Sequence, residues 1–269
     1  MLGAEIVHLL KLRGVEVLGF HRGNLDMTIL SRDPHLLFQN IDTIVNAAAY
    51  TNVDRAETQQ REAYLTNATL PRMLALAAME VGAHFIQIST DYVFRGDSLT
   101  PYLPGDSPDP VSVYGKSKWE GEKSTLDFDN TRVIRTAWLY GAHGNCFPKA
   151  VMSKLRREKG VSIVGDQVGS PTSASYLAEF VIRSAIEPLE RKILHGVSSG
   201  EASWYEFGIE VAKQIGSDPG TITEVSSEAF PTIAKRPRFS LLEPSQLDNL
   251  EIPSWRDAWR AASRSIVGS

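Results

Sequence analysis

The chain has 269 residues, 28 basic and 32 acidic side chains, a formal net charge of −4, 42% apolar residues and one cysteine. That length fits one large domain, or a main domain with a smaller companion, and is ample for a buried core. The mild acidity gives no basic footprint for nucleic acid, no apolar run approaches the ~18 residues of a membrane span, and a lone Cys146 closes no internal disulfide. What remains is a soluble globular protein, expected in the cytoplasm, either an enzyme or a binding subunit.

The first half alternates in period. Ile6, Leu9, Leu10 and Arg13 form a helical stripe that stops at Gly14. Residues 15–20 read as a strand and 36–39 as a helical turn. A second strand spans 41–46 and runs into Ala47-Ala48-Ala49. Residues 64–81 read as one helix, stopped by Gly82. A strand follows at 84–89, a Pro-rich irregular loop at 95–110, a helix at 111–123 and a strand at 132–136. Strands separated by helices predict βαβ units and a parallel sheet. Beyond Gly141 the rhythm loosens. Helices are expected near 147–159, 173–187, 203–215 and 254–265, with short strands near 161–164 and 192–197. The expected fold is α/β: a Rossmann-like doubly wound parallel sheet over 1–140, with a smaller mixed α/β part over 141–269 that shapes a substrate pocket and returns some segments to the core.

Several segments carry possible chemistry. Tyr114-Gly-Lys-Ser-Lys118 places Tyr and Lys one helical turn apart. A cation beside a phenol favours the phenolate, so Lys118 is expected to lower the Tyr114 pKa and suit it to proton exchange with a carbonyl. With eight Tyr in the chain, chance alone supplies about 0.3 such pairs, so a solvated helix face competes with this reading. Ser89-Thr90-Asp91-Tyr92-Val93-Phe94 follows a strand, where open α/β sheets bind ligands. Thr90 can hydrogen-bond a reacting carbonyl; a helix cap is the equal alternative. The small residues of Asn46-Ala47-Ala48-Ala49-Tyr50 admit a flat cofactor or a tightly packed helix. Arg22 suits a 2′-phosphate and leans towards NADPH, with a solvated charge equally open. Asp26 faces an adenine or caps a turn. Trp138 ends a strand and is either a site residue or core. Arg236, in Lys235-Arg236-Pro237-Arg238, fits a diphosphate or a solvated surface. The histidines lack metal-ligand spacing, so no metal is expected.

Taken together, these segments resemble the extended short-chain dehydrogenase/reductases and, within them, the dTDP-4-dehydrorhamnose reductase family. The resemblance is carried by Val45-Asn-Ala-Ala-Ala-Tyr-Thr-Asn-Val-Asp-Arg-Ala-Glu57, Asn67-Ala-Thr69, Ser89-Thr-Asp-Tyr-Val-Phe94, Val113-Tyr-Gly-Lys-Ser-Lys118, Arg135-Thr-Ala-Trp-Leu-Tyr140, Asp166-Gln-Val-Gly-Ser-Pro-Thr172 and Arg236-Pro-Arg-Phe-Ser240. It implies reduction of the 4-keto group of a dTDP-6-deoxysugar by NADPH, with NADH as second choice. It makes Tyr114 the proton donor, Lys118 the holder of the nicotinamide ribose and Thr90 the partner of the reacting oxygen. It places Thr90, Asp91 and Trp138 against the sugar nucleotide, and Asp26, Met27, Ala48, Ala49 and Tyr50 along the cofactor. The family opens with a strand and Gly-x-x-Gly-x-x-Gly, of which only Met1-Leu2-Gly3 has a counterpart here. The expectation is a start placed late, with Gly3 as the last glycine of that turn. Two other readings stay open: an NADP-binding regulatory subunit like that of methionine adenosyltransferase, and a ketoreductase for another dTDP-deoxysugar. The expected state is a monomer or homodimer, with no nucleic acid and no membrane as partner.

Overall fold

The computed structural model describes residues 1–21, 23–158 and 160–267. The first half runs α1 (Leu2–Leu12), α2 (Met27–Arg32), β1 (Thr43–Asn46), α3 (Val53–Thr58), α4 (Gln60–Tyr64), α5 (Leu70–Val81), β2 (His84–Thr90), α6 (Val113–Leu126) and β3 (Thr131–Thr136). The second half runs β4 (Leu139–Tyr140), α7 (Phe147–Arg157), β5 (Val161–Val164), β6 (Val168–Gly169), β7 (Thr172–Ser173), α8 (Ala174–Ser184), β8 (Ile193–His195), β9 (Ala202–Ser203), α9 (Trp204–Gln214), β10 (Ile222–Val225) and α10 (Trp255–Val267). The strands expected at 84–89 and 132–136, and the four helices expected after residue 141, are all present within a few residues.

A four-stranded sheet has the order β1-β2-β3-β8, every pair parallel. Side chains of β2 alternate across it. Phe85 packs with Leu74, Ala75 and Ala78 of α5 on one face. Ile86 packs with Leu2 and Ile6 of α1 and Leu177 and Phe180 of α8 on the other. Both faces are therefore covered by helices, the doubly wound arrangement. A separate cluster gathers α7, α9, α10, β5 and β10 around Phe207, whose ring lies 5.2 Å from Tyr140, 5.7 Å from Trp255 and 5.5 Å from Trp259.

Two expectations are corrected. Residues 15–20 form no strand: Val15, Leu18 and Phe20 are 48%, 52% and 40% exposed. A strand exists only through a partner's ladder, and β1 is an edge of the sheet among the described residues. The segment 64–81 is not one α-helix. A π-helical turn, Leu65–Thr69, separates α4 from α5. Pro71 has no N–H to give the Asn67 carbonyl four residues earlier. The buried Asn67 side chain holds the widened turn by bonding the Tyr50 amide (2.8 Å), the Tyr50 carbonyl (3.1 Å) and the Ser117 hydroxyl (2.9 Å). Gly82 then ends α5 at φ 75°, a left-handed conformation suited to glycine.

Phe207 is fully buried at the centre of its aromatic cluster. Phe207→Ala is expected to cost about 3–5 kcal/mol of stability, read by chemical denaturation, because packed rings around the cavity collapse poorly.

Candidate active site

Helix α6 carries the site. Ser112 caps it by accepting from the Gly115 amide (3.2 Å), and the Glu57 carboxylate of α3 accepts from the Val113 amide (2.9 Å). The helix lies unusually close to its neighbours. A Cβ on Gly115 would stand 2.1 Å from the Tyr92 carbonyl oxygen, and one on Gly121 would stand 2.0 Å from the Asn67 carbonyl oxygen. This approach brings Tyr114 to the carboxyl end of β2. The Tyr92 and Tyr114 rings meet edge to face at 5.5 Å, and the Tyr114 phenol comes up against the Thr90 side chain.

Burial sets the charges. Desolvation pushes the Tyr114 pKa well above the ordinary phenol value, and the Thr90 side chain offsets only part of this. The expected lowering by Lys118 is not seen. The Lys118 ammonium is 3% exposed and donates to the Ile88 carbonyl (2.6 Å), not to the phenol. Its own pKa falls to about 8 through desolvation, opposed by Glu122. Asp91, buried and accepting from the Thr90 hydroxyl at 2.9 Å, is raised to about 6 by desolvation, against hydrogen bonds from Ser240 and Thr90. In the free protein the Tyr114 phenol therefore holds its proton at neutral pH, while Lys118 is still mostly charged there.

The structure brings some of the sequence candidates together and leaves others apart. Thr90, Asp91, Tyr114 and Arg236 are brought together: the Arg236 guanidinium bonds Asp54 of α3 (2.7 Å) and the Tyr92 hydroxyl (3.3 Å). Ala48, Ala49 and Tyr50 form the turn after β1. The Asn46 side chain binds the Ala48 amide (3.1 Å), and Tyr50 bonds Gln59 (2.6 Å). A Cβ on Gly3 would lie 3.6 Å from Ala47, so the start of α1 faces this same turn. Asp26 and Met27 stand apart at the start of α2. Asp26 caps that helix, accepting from Thr28 (2.8 Å) and Ile29 (3.1 Å). Arg22 lies outside the described residues. Trp138 packs beside Val93, Phe94 and Ala137, stacks face to face on Trp204 at 3.4 Å, and has a left-handed backbone with φ 45°. Gly169 has no side chain because Trp138 occupies that space, 2.6 Å from an added Cβ. Sequence reasoning missed the parts played by Asp54, Glu57, Asn67 and Trp204. The first three sit in segments that carried the resemblance, but nothing in their spacing announces a cap, a bracket or a widened turn.

Among the described residues, the buried hydroxyls of Ser89 and Thr136, at the carboxyl ends of β2 and β3, have no hydrogen-bond partner. With the Lys118 ammonium on the Ile88 carbonyl of β2 and small residues at Gly3, Ala48 and Ala49, this end of the sheet fits a dinucleotide laid across the strand ends.

A Tyr-x-x-x-Lys helix against the carboxyl ends of a doubly wound sheet defines the class: a nicotinamide-dependent oxidoreductase of the short-chain dehydrogenase/reductase type. The family model of the RmlD substrate binding domain matches residues 1–267, and the chain belongs to that family. A Streptomyces antibioticus protein named a probable dTDP-4,6-dihydroxy-2-methyloxan-3-one 4-ketoreductase is 37% identical over 98% of this chain and 90% of its own. The dTDP-4-dehydrorhamnose reductase of Mycobacterium tuberculosis is 39% identical over 85% of this chain and 77% of its own. The crystal structure of dTDP-4-dehydrorhamnose reductase from Bacillus anthracis in complex with NADP superposes with a TM-score of 0.90, at 31% identity, covering 100% of this chain and 95% of that one. Among the described residues, no helix is long and apolar enough to cross a membrane.

The raised Asp91 pKa has a consequence for stability. The folded protein holds this proton more tightly than the unfolded chain. The stability so conferred is complete below the unfolded value of 3.8 and is lost as pH rises through about 6. Asp91→Asn should therefore gain stability over wild type on going from pH 4 to pH 8, by about 2–3 kcal/mol at most, measured by thermal melts across that range.

Proposed function

We propose that the protein reduces the 4-keto group of dTDP-4-dehydro-6-deoxy-L-mannose to dTDP-L-rhamnose, using NADPH in preference to NADH. The observation that carries this reading is the contact of Thr90 with the Tyr114 phenol at the carboxyl end of β2, one helical turn from a buried Lys118. The bound nicotinamide supplies the hydride. Thr90 hydrogen-bonds the ketone oxygen and polarises it. Tyr114 gives its phenolic proton to the oxygen as the C4–H bond forms, and the phenolate regains a proton from solvent. Lys118 holds the nicotinamide ribose hydroxyls. Gly3, Ala48, Ala49 and Tyr50 line the cofactor, with Asp26 and Met27 further along it towards the adenine, and Arg22 accounts for the NADPH preference.

Asp91, Trp138 and Arg236 face the sugar nucleotide, with the Arg236 guanidinium directed to the diphosphate. In this reading residues 1–140 are the cofactor half and 141–269 mainly the substrate half, with α8 and β8 returning to the sheet. The protein works in the cytoplasm as a monomer or homodimer. A regulatory role without turnover is disfavoured because the proton donor and its neighbours are assembled. The similarity to the Streptomyces antibioticus protein favours a second reading, reduction of another dTDP-4-keto-6-deoxysugar. The configuration at C4 of the isolated product, read by NMR, separates the two.

Purified protein mixed with the keto-sugar nucleotide and NADPH should lose the absorbance of the reduced nicotinamide. Tyr114→Phe is expected to lower kcat by about 10²–10⁴; a wild-type rate in that variant would reject the reading. Arg236→Met should raise KM for the sugar nucleotide by about tenfold, with KM for NADPH unchanged in the same steady-state assay.

A further inference from the structure

Tyr114, Lys118 and Glu122 follow one another at four-residue spacing, so they share one face of α6. A buried Lys and Glu at that spacing ordinarily pair directly. Here they do not: among the described residues no ion pair joins them. The Lys118 ammonium goes to the Ile88 carbonyl at 2.6 Å. Both Glu122 oxygens go to Arg135 of β3, with contacts of 3.0 and 3.2 Å from Nε and 2.7 Å from Nη2. Arg135 and Glu122 are each 1% exposed. Arg135 is itself fixed, donating to the Pro104 carbonyl (3.2 Å) and lying 5.0 Å over the Phe94 ring. In the β2–β3 ladder it stands opposite Ser89, one residue before Thr90.

We propose that Glu122 is a positioning residue for Lys118: clamped by Arg135, it is a fixed negative charge that keeps the buried ammonium charged while leaving that ammonium's remaining N–H bonds free for ligand hydroxyls. The inference rests on the functional reading of Lys118 given above. Arg135 has the complementary task of stopping Glu122 from closing onto Lys118. The other titratable groups on α6 and the segments packed against it include Tyr114 on the helix itself, Asp91 and Tyr92 just after β2, and Tyr50 after β1. His195 of β8, on the far side of Arg135, is held neutral by burial, with its pKa near 3. Of these, Asp91 is the other carboxylate, and it is bonded to Thr90. The burial that draws the Lys118 pKa down is opposed by Glu122.

The test is the Lys118 titration in the free protein, followed by NMR of isotope-labelled lysine side chains, with the signal identified by its loss in Lys118→Met. Glu122→Gln leaves Arg135 as an unpaired like charge, so Lys118 should lose its proton about 1 unit lower in pH. The alkaline limb of kcat/KM should move by the same amount, and Glu122→Asp should restore part of the shift. If the single variant does not fold, Glu122→Gln with Arg135→Met removes both charges and should lower the titration by about half as much. A folded variant of either kind whose Lys118 titrates as wild type overturns the proposal. So does Glu122→Gln with only a lower melting temperature and an unmoved pH profile. Because the titration is read without cofactor or substrate, it stands apart from turnover. A wild-type rate in Tyr114→Phe would reject the functional reading alone.

Discussion

Helix α6 lies so close to the chain around it that two of its positions have no room for a Cβ. Gly115 sits against the Tyr92 carbonyl and Gly121 against the Asn67 carbonyl. Each contact would be a collision for any other residue, and each carbonyl belongs to a segment shaped for the meeting. Tyr92 follows the strand that delivers Thr90. Asn67 lies in a π-helical turn opened by the missing donor of Pro71 and held by three bonds from its own side chain. The depth at which α6 is seated decides where the Tyr114 hydroxyl and the Lys118 ammonium come to rest. The site is thus a result of backbone approach before it is a result of side-chain chemistry.

That same approach strips water from the groups that titrate. Burial alone drives a phenol up, a lysine down and a carboxylate up, and all three directions are found at Tyr114, Lys118 and Asp91. Left to desolvation, Lys118 would lose charge where charge is useful. The Glu122–Arg135 pair is fully buried, so each charge has lost its water and depends on the other's hydrogen bonds, and its negative member sits one helical turn beyond Lys118 on α6. On the other side of the site, α3 ties two parts of the chain together. Asp54 holds Arg236 and the Ala234 amide, and Glu57 holds the first amide of α6.

Much of this was legible beforehand. The βα rhythm, the apolar alternation of β2 and the Tyr-x-x-x-Lys spacing gave the sheet, its helices and the core of the site, because each depends on local period and composition. What was hidden depends on partners distant in sequence. Residues 15–20 have the composition of a strand but no ladder. The helix expected over 64–81 breaks because of a buried Asn whose partners, Tyr50 and Ser117, lie 17 and 50 residues away. The Tyr114 pKa moves opposite to the pairwise expectation, since desolvation outweighs a cation that bonds elsewhere. The sequence leaves Trp138 open between core and site. Its stack on Trp204 could not be inferred, because nothing local marks two residues 66 positions apart as partners.

The seating of α6 also governs how freely this part of the gene can drift. Within residues 115–122, Gly115, Ser117, Lys118, Gly121 and Glu122 are buried, and each answers to a different neighbour. Lys116 and Glu120 are exposed, as is Lys123 just beyond. Substitutions at those outer positions meet solvent and, for Glu120 and Lys123, only each other and the Trp119 ring. At the inner ones, a change must satisfy a carbonyl, a strand or a buried guanidinium that cannot retreat. Mutational tolerance along this helix should therefore rise and fall with the helical turn, and its intolerant face is wider than the two residues that touch the reaction.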